Sequence, residues 1–181
     1  MAEKEKKKRV HRKYGYLNEF QVNDAGEYEF RGITYVYDGK KKSWETFLKE
    51  VWISEGLLAA LLVISGCIPA SGMRNTFYVL VPWAVCICLA ANVLYMTGRI
   101  TSSKGQIRDY KYKKTIERIP DVLFVLTVFL IMTVIGQLFQ ALFGGMGDRG
   151  LWTLIYEACL MFCIPLCVTL RRRVLEAVWK K

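Results

Sequence analysis

The chain has 181 residues, 53% of them hydrophobic, and yet it carries a formal net charge of +10. Most of the charged residues lie in three blocks, which long and almost uncharged runs separate. This excludes an ordinary soluble domain and is typical of a protein that crosses a membrane several times. The six cysteines all fall within the apolar runs, so a disulfide framework is not expected.

The first 42 residues contain two different segments. Residues 1–13 are rich in lysine and arginine and are predicted to be disordered. In residues 14–42, aromatic and β-branched residues alternate with polar ones around turn signals, which predicts a small cytoplasmic β-hairpin or meander. Two or three strands are marginally stable alone, so we expect this element to pack against the rest of the protein, a partner or a second copy.

Residues 43–55 are predicted to form an amphipathic helix. Five apolar residues at spacings i, i+3, i+4, i+7 and i+8 share one helical face: Trp44, Phe47, Leu48, Val51 and Trp52. Because tryptophan favours the headgroup region, we interpret the segment as an interfacial helix on the cytoplasmic leaflet, with Trp44, Phe47 and Trp52 as anchors. The alternative is that the segment simply extends the first span inward.

Four apolar stretches follow, each close to the ~20 residues that a helix needs to cross the hydrocarbon core. They are residues 56–73, 76–98, 120–143 and 151–170. The predicted fold is an all-α membrane protein whose four transmembrane helices form a bundle over residues 56–170. The small N-terminal cytoplasmic β element and the interfacial amphipathic helix precede this bundle.

The lysine and arginine counts predict the orientation of the bundle. Residues 1–55, the connection 99–119 and the tail 171–181 hold 12, 7 and 5 of these cations, together 24, whereas the other two connections hold one each. The positive-inside rule places the basic side in the cytoplasm. Both termini are therefore predicted to be cytoplasmic, and the protein to lie in the cytoplasmic membrane.

Glu157 is the sharpest single feature of the predicted spans. It lies about seven residues inside the fourth span, where an acid is costly and is expected to have a partner. At about 100° per residue, Thr133, Gln137 and Gln140 share one face of the third span at a similar depth. We favour a hydrogen-bonded clamp between these two helices. The functional alternative is a proton- or cation-responsive site.

Three cysteines in the fourth span, Cys159, Cys163 and Cys167, recur every four residues and invite a thiolate metal site. Cysteine in an apolar helix behaves as a small hydrophobe, and the only histidine, His11, lies in the basic tail. We therefore expect no metal site and no cofactor.

The basic residues around the spans predict contact with the anionic headgroups of the lipid bilayer or with a protein partner. They are Lys6, Lys7, Lys8, Arg9, Lys111, Lys113, Lys114, Arg171, Arg172 and Arg173. Nucleic-acid binding is not expected, because no recognised binding module accompanies the charge.

The sequence contains no P-loop, nucleophile elbow, zinc-protease motif or dinucleotide fingerprint, so we expect no enzymatic activity. The preferred interpretation is an accessory or assembly protein that docks a protein partner through its cytoplasmic β element and basic surfaces. The alternative is a small oligomeric transporter or channel with Glu157, Gln137 and Gln140 in its pathway.

Overall fold

The computed structural model describes residues 20–22, 28–30, 33–39, 42–73, 76–144 and 147–180. The predicted disordered tail, with Lys6, Lys7, Lys8 and Arg9, lies outside the described residues. Most of the described chain is helical, in agreement with the predicted class. The helices are α1 (Trp44–Cys67), α2 (Phe77–Thr101), α3 (Asp109–Lys114), α4 (Ile119–Phe143) and α5 (Gly150–Glu176).

Three of these helices are long and apolar enough to cross a membrane, which supports a membrane protein. They are α2, α5 and α4, the last within the segment Asp109–Phe143. Helix α1 is not among the three. Its uncharged run from Gly56 to Cys67 spans only about 18 Å at the helical rise of ~1.5 Å per residue.

Helix α1 is continuous from Trp44 to Cys67, so residues 43–55 do not form a separate interfacial helix. Ser43 caps the helix, because its hydroxyl accepts a hydrogen bond from the backbone N–H of Thr46 at 3.3 Å. One buried face then continues through both predicted segments, with Val51, Ser54, Glu55, Leu58, Leu62 and Ser65 on it. The alternative that residues 43–55 extend the next helix matches this geometry.

The four long helices pack as a bundle with an apolar centre. Helix α1 packs against α2 and α5, and α4 packs against the same two helices. Each helix contributes side chains that are at most 2% exposed: Leu58, Leu62, Val79, Cys86, Leu126, Leu130, Tyr156, Leu160, Cys163 and Cys167. The cysteines of the predicted stripe therefore act mainly as packing residues. All six cysteines of the chain are free thiols.

The connection between α1 and α2 is folded into one end of the bundle. Ala70 is fully buried, and Ser71–Met73 form a 3₁₀ turn that contacts α2, α4 and α5. The connection between α4 and α5 ends in a second 3₁₀ turn, Gly147–Arg149, at the same end.

In the part of the chain that the structure describes, the β strands form two sheets. Strands β1 (Phe20–Val22) and β2 (Tyr28–Phe30) make an antiparallel hairpin. Strand β3 (Thr34–Tyr37) is the centre of a separate sheet, between β4 (Gln106–Arg108) and β5 (Trp179–Lys180). The prediction of local pairing within 14–42 therefore misses part of the arrangement. Strand β3 pairs instead with strands that follow α2 and α5.

This three-stranded sheet, β4–β3–β5, gathers the N-terminal region, the connection 99–119 and the C-terminal tail. Both of its pairings are antiparallel, with Tyr35 opposite Ile107 and Tyr37 opposite Trp179. The three segments that carry most of the basic residues thus meet at one end of the bundle. The buried α1–α2 connection lies at the other end.

Candidate functional site

The inner face of the three-stranded sheet is held to the bundle by an aromatic cluster. The cluster consists of Tyr35, Tyr37, Trp44, Phe47, Tyr112 and Trp179. The ring of Tyr37 has its centroid 5.4 Å from Trp44, 5.3 Å from Phe47 and 5.4 Å from Trp179. Such aromatic pairs stabilise a contact by about 0.5–1.5 kcal/mol each beyond the area they bury.

The second half of the cluster joins the sheet to α3. Tyr35 stacks on Tyr112 at 4.1 Å, and Tyr112 meets Trp179 edge-on at 5.7 Å. Burial raises the pKa of both Tyr37 and Tyr112 above the ordinary tyrosine value. Ile107 of β4 is only 1% exposed on the same face, so the inner face is closed against the helices.

The outer face of the sheet points away from the helices. It carries one exposed apolar residue, Val36, and three exposed polar residues of the edge strands, Gln106, Arg108 and Lys180. Lys180 forms an ion pair of 3.0 Å with Asp38. An apolar centre bordered by cations is suited to contact with an acidic protein surface.

The three predicted membrane anchors, Trp44, Phe47 and Trp52, make contacts within the protein. Trp44 and Phe47 are half-buried under the sheet, in the aromatic cluster. Trp52 is 38% exposed and donates a hydrogen bond from its indole nitrogen to the Thr101 hydroxyl at 3.0 Å. Two of the three residues therefore fasten the sheet to α1, and Trp52 links α1 to α2.

The three arginines at the end of α5 have three different surroundings. Arg173 faces α1, where it donates a 2.9 Å hydrogen bond to the Ser54 hydroxyl and lies 3.8 Å from the Glu50 carboxylate. Arg171 faces α4, with its guanidinium 5.4 Å above the ring of Phe124. Arg172 is exposed.

The lysines of α3 have partners on the same helix. Lys113 forms a 2.8 Å ion pair with Asp109, and Lys114 contacts the ring and hydroxyl of Tyr110. Lys111 is exposed.

Two polar residues of α4, Gln137 and Gln140, bond to the α1–α2 connection and to α2, although Oε1 of Gln137 has no partner among the described residues. Gln137, 1% exposed, donates to the Ser71 hydroxyl at 3.2 Å. Gln140 accepts a 2.5 Å hydrogen bond from the Tyr78 hydroxyl. Thr133 donates to the backbone carbonyl of its own helix at Phe129. Thr153 of α5 also joins this group, because it donates to Ser71 at 3.3 Å.

Glu157 is not brought together with Gln137, Gln140 or Thr133. Neither of its carboxylate oxygens has a hydrogen-bond partner within the described structure, although both are shielded from solvent. The residue as a whole is part-buried. The predicted clamp between Glu157 and the polar face of α4 is therefore not seen; Gln137 and Gln140 of that face bond instead to Ser71 of the connection, which Thr153 also contacts, and to Tyr78 of α2.

A second acidic residue, Glu55, lies inside the bundle and was not predicted from the sequence. Glu55 is 2% exposed and accepts a 2.6 Å hydrogen bond from the Thr97 hydroxyl of α2, while its other oxygen has no partner in the described structure. Its spacing from Val51 and Leu58, four and three residues away, could have placed it on the buried face of α1. It was missed because residues 43–55 were assigned to an interfacial helix.

The space beside Thr97 does not form a ligand pocket. The cavity there is lined by apolar side chains of α1, α2, α4, α5 and β5 and holds about 20 Å³, which is room for one water molecule. Among the described residues, no three His, Cys, Asp or Glu side chains are grouped so that they could hold a metal ion.

Comparison with protein-family models, with curated proteins and with solved structures finds no match to this chain. Inference about function therefore depends on the residues and geometry described above.

Proposed function

We propose that this chain is a non-enzymatic accessory or assembly protein, which docks a protein partner through its three-stranded sheet and the β1–β2 hairpin. The observation that carries the proposal is the construction of the sheet. Three segments far apart in sequence form one surface, which the aromatic cluster holds rigidly against the bundle. Its outer face presents Val36 among cationic and amide side chains, as a docking surface for an acidic partner would.

The packed centre of the bundle supports docking over transport. The side chains from Leu58 and Leu62 across to Leu130 and Leu160 are at most 2% exposed, so a path for a solute through one copy would require their separation. Gln137 and Gln140 each take part in a structural hydrogen bond with a neighbouring segment. A transport function would need a pathway between copies.

We further propose that α1 is a fourth membrane span and that the sheet lies in the cytoplasm. Helix α1 packs along α2 and α5, and it exposes large apolar side chains as a lipid-facing helix does: Ile53, Leu57, Val63 and Ile64. Two of the four charged residues in its first half have partners, since Glu50 binds Lys42 and one oxygen of Glu55 accepts from Thr97. The excess of lysine and arginine beside the sheet supports the cytoplasmic side.

The docking proposal is tested by introducing an acid on the outer face of the sheet in the full-length protein. Val36→Glu places an acid on that face without touching the aromatic cluster. The expected result is that a partner which co-purifies in stoichiometric amount with the wild type in mild detergent is lost from Val36→Glu. The complex should then re-form from purified wild-type protein and purified partner.

Ser102→Glu is the matched control, because Ser102 is exposed in the turn after α2, at the same end of the bundle. It is expected to retain the partner. The proposal is refuted if both variants retain the partner equally, or if the partner is lost from both.

A further inference from the structure

Glu157 lies in the groove between α4 and α5 and is turned toward an apolar flank of α4. Arg171 lies over Phe124 of α4, which shows the flanks by which these two antiparallel helices meet. Fourteen residues turn a helix through almost four full turns, to within about 40°. Glu157 precedes Arg171 by fourteen residues, so these two residues of α5 share a flank. Leu138 follows Phe124 by fourteen residues, so these two residues of α4 also share a flank. The spacing therefore places Glu157 and Leu138 at the same level, on the flanks by which the two helices meet.

The polar residues of α4 cannot reach Glu157 from where they lie. Gln140 is about 160° around the helix from Phe124 and is bonded to Tyr78 of α2. Gln137 is bonded to Ser71. The carboxylate of Glu157 is thus left without a partner in the described structure, about 10 Å below the start of α5. In hydrocarbon this state is costly.

A second copy of this chain has no basic side chain to offer at that depth. Residues 76–98, 120–143 and 151–170 contain no lysine, arginine or histidine, and neither do residues 56–73. The nearest cations, Arg74 and Arg149, belong to the two short connections at the end of the bundle. A complementary charge must therefore come from a different protein.

We infer that the α4–α5 groove at Glu157 binds a transmembrane helix of a partner protein, and that this helix carries a lysine or arginine level with Glu157. Glu157 is part-buried and its carboxylate is shielded from solvent, so contact with the partner helix requires a change of rotamer. Leu138 and Leu154, 49% and 60% exposed, provide apolar surface beside it. The inference rests on the proposed function, since it gives the docked partner an intramembrane contact.

The test uses the full-length protein in phosphatidylcholine vesicles and two dansyl-labelled polyleucine peptides of transmembrane length. One peptide carries a single lysine about seven residues from one end, and the other carries leucine throughout. Energy transfer from the protein's tryptophans to dansyl measures binding. The lysine peptide is expected to bind roughly 5- to 30-fold more tightly than the leucine peptide, as for other polar contacts between membrane helices.

Glu157→Leu is expected to remove this preference. Glu157→Gln should reduce it while leaving the thermal unfolding of the protein unchanged. Met161→Gln is the matched control, because it adds a polar group to an exposed site of α5 one turn away and is expected to keep the preference.

The inference is overturned if the wild type binds both peptides equally, or if the preference survives in Glu157→Leu. It is also overturned if Glu157→Leu instead abolishes energy transfer between labelled copies of the protein, because the occupant is then a second copy. Val36→Glu is expected to leave the peptide preference intact. Failure of the sheet proposal and failure of this inference are therefore distinguishable.

Discussion

Removal of the Trp179 ring should weaken the attachment of β5 to the sheet. This ring meets three others, those of Tyr37 at 5.4 Å and of Trp44 and Tyr112 at 5.7 Å. At about 0.5–1.5 kcal/mol per pair, three pairs would contribute ~1.5–4.5 kcal/mol. We expect about 2 kcal/mol for Trp179→Ala, because the ring is half-buried and its three contacts are not independent. This corresponds to an increase of about 30-fold in the local opening of β5.

The amide of Asp38 reports this opening directly, since it donates a 2.9 Å hydrogen bond to the carbonyl of Val178 beside β5. Hydrogen exchange at this amide, measured by NMR in detergent micelles, should accelerate by about 30-fold in Trp179→Ala. Lys180→Ala is the control. It removes only the exposed ion pair with Asp38, which is worth at most ~1 kcal/mol, and it should accelerate exchange about fivefold or less. Equal acceleration in the two variants would refute the role of the aromatic cluster.

Three further predictions concern packing and ionisation. Gly66→Ala should destabilise the bundle by about 1–3 kcal/mol in thermal unfolding, because the new methyl would lie 2.2 Å from the Trp83 ring. Gly98→Ala, with nothing within 4 Å, should stabilise by ~0.5–1 kcal/mol, and the reverse order would contradict the packing of α1 on α2. Glu55→Gln should unfold at a higher temperature than Glu55→Ala, because only the amide can keep the buried hydrogen bond; equal midpoints would argue against that bond. Burial raises the pKa of Tyr37, so its contribution to sheet stability is complete below pH ~10 and is lost as the pH rises through the raised value. Tryptophan fluorescence should show this loss in the wild type and a smaller one in Tyr37→Phe.

The long helices could be predicted because hydrophobicity is a local property. The apolar stretches 76–98, 120–143 and 151–170 correspond to α2, α4 and α5. The predicted and observed ends agree within three residues, except that α5 continues six residues beyond its predicted end. The break predicted at residue 55 was wrong, because the change from polar to apolar composition was taken as a change of element. The buried face of α1 runs across that boundary at constant helical spacing.

Pairing between distant segments could not be predicted in the same way. Strands β4 and β5 have only three and two residues, too few to show an alternating pattern. Both are stabilised by their antiparallel pairing with β3 and by rings that belong to α1 and α3. The helical wheel of α4 likewise shows that Thr133, Gln137 and Gln140 share a face, but it cannot show which helix that face meets.

The sequence by itself determined that this is a membrane protein with long apolar helices and strongly basic connections, since those properties follow from composition along the chain. The tertiary structure alone decided which polar groups found partners. Gln137 and Gln140 met Ser71 and Tyr78 because α4 turns that face toward α2 and the buried connection. Glu157 was left unpaired because the flank of α4 opposite it is apolar, and the rotation of one helix about its axis is set by packing rather than by its own residues.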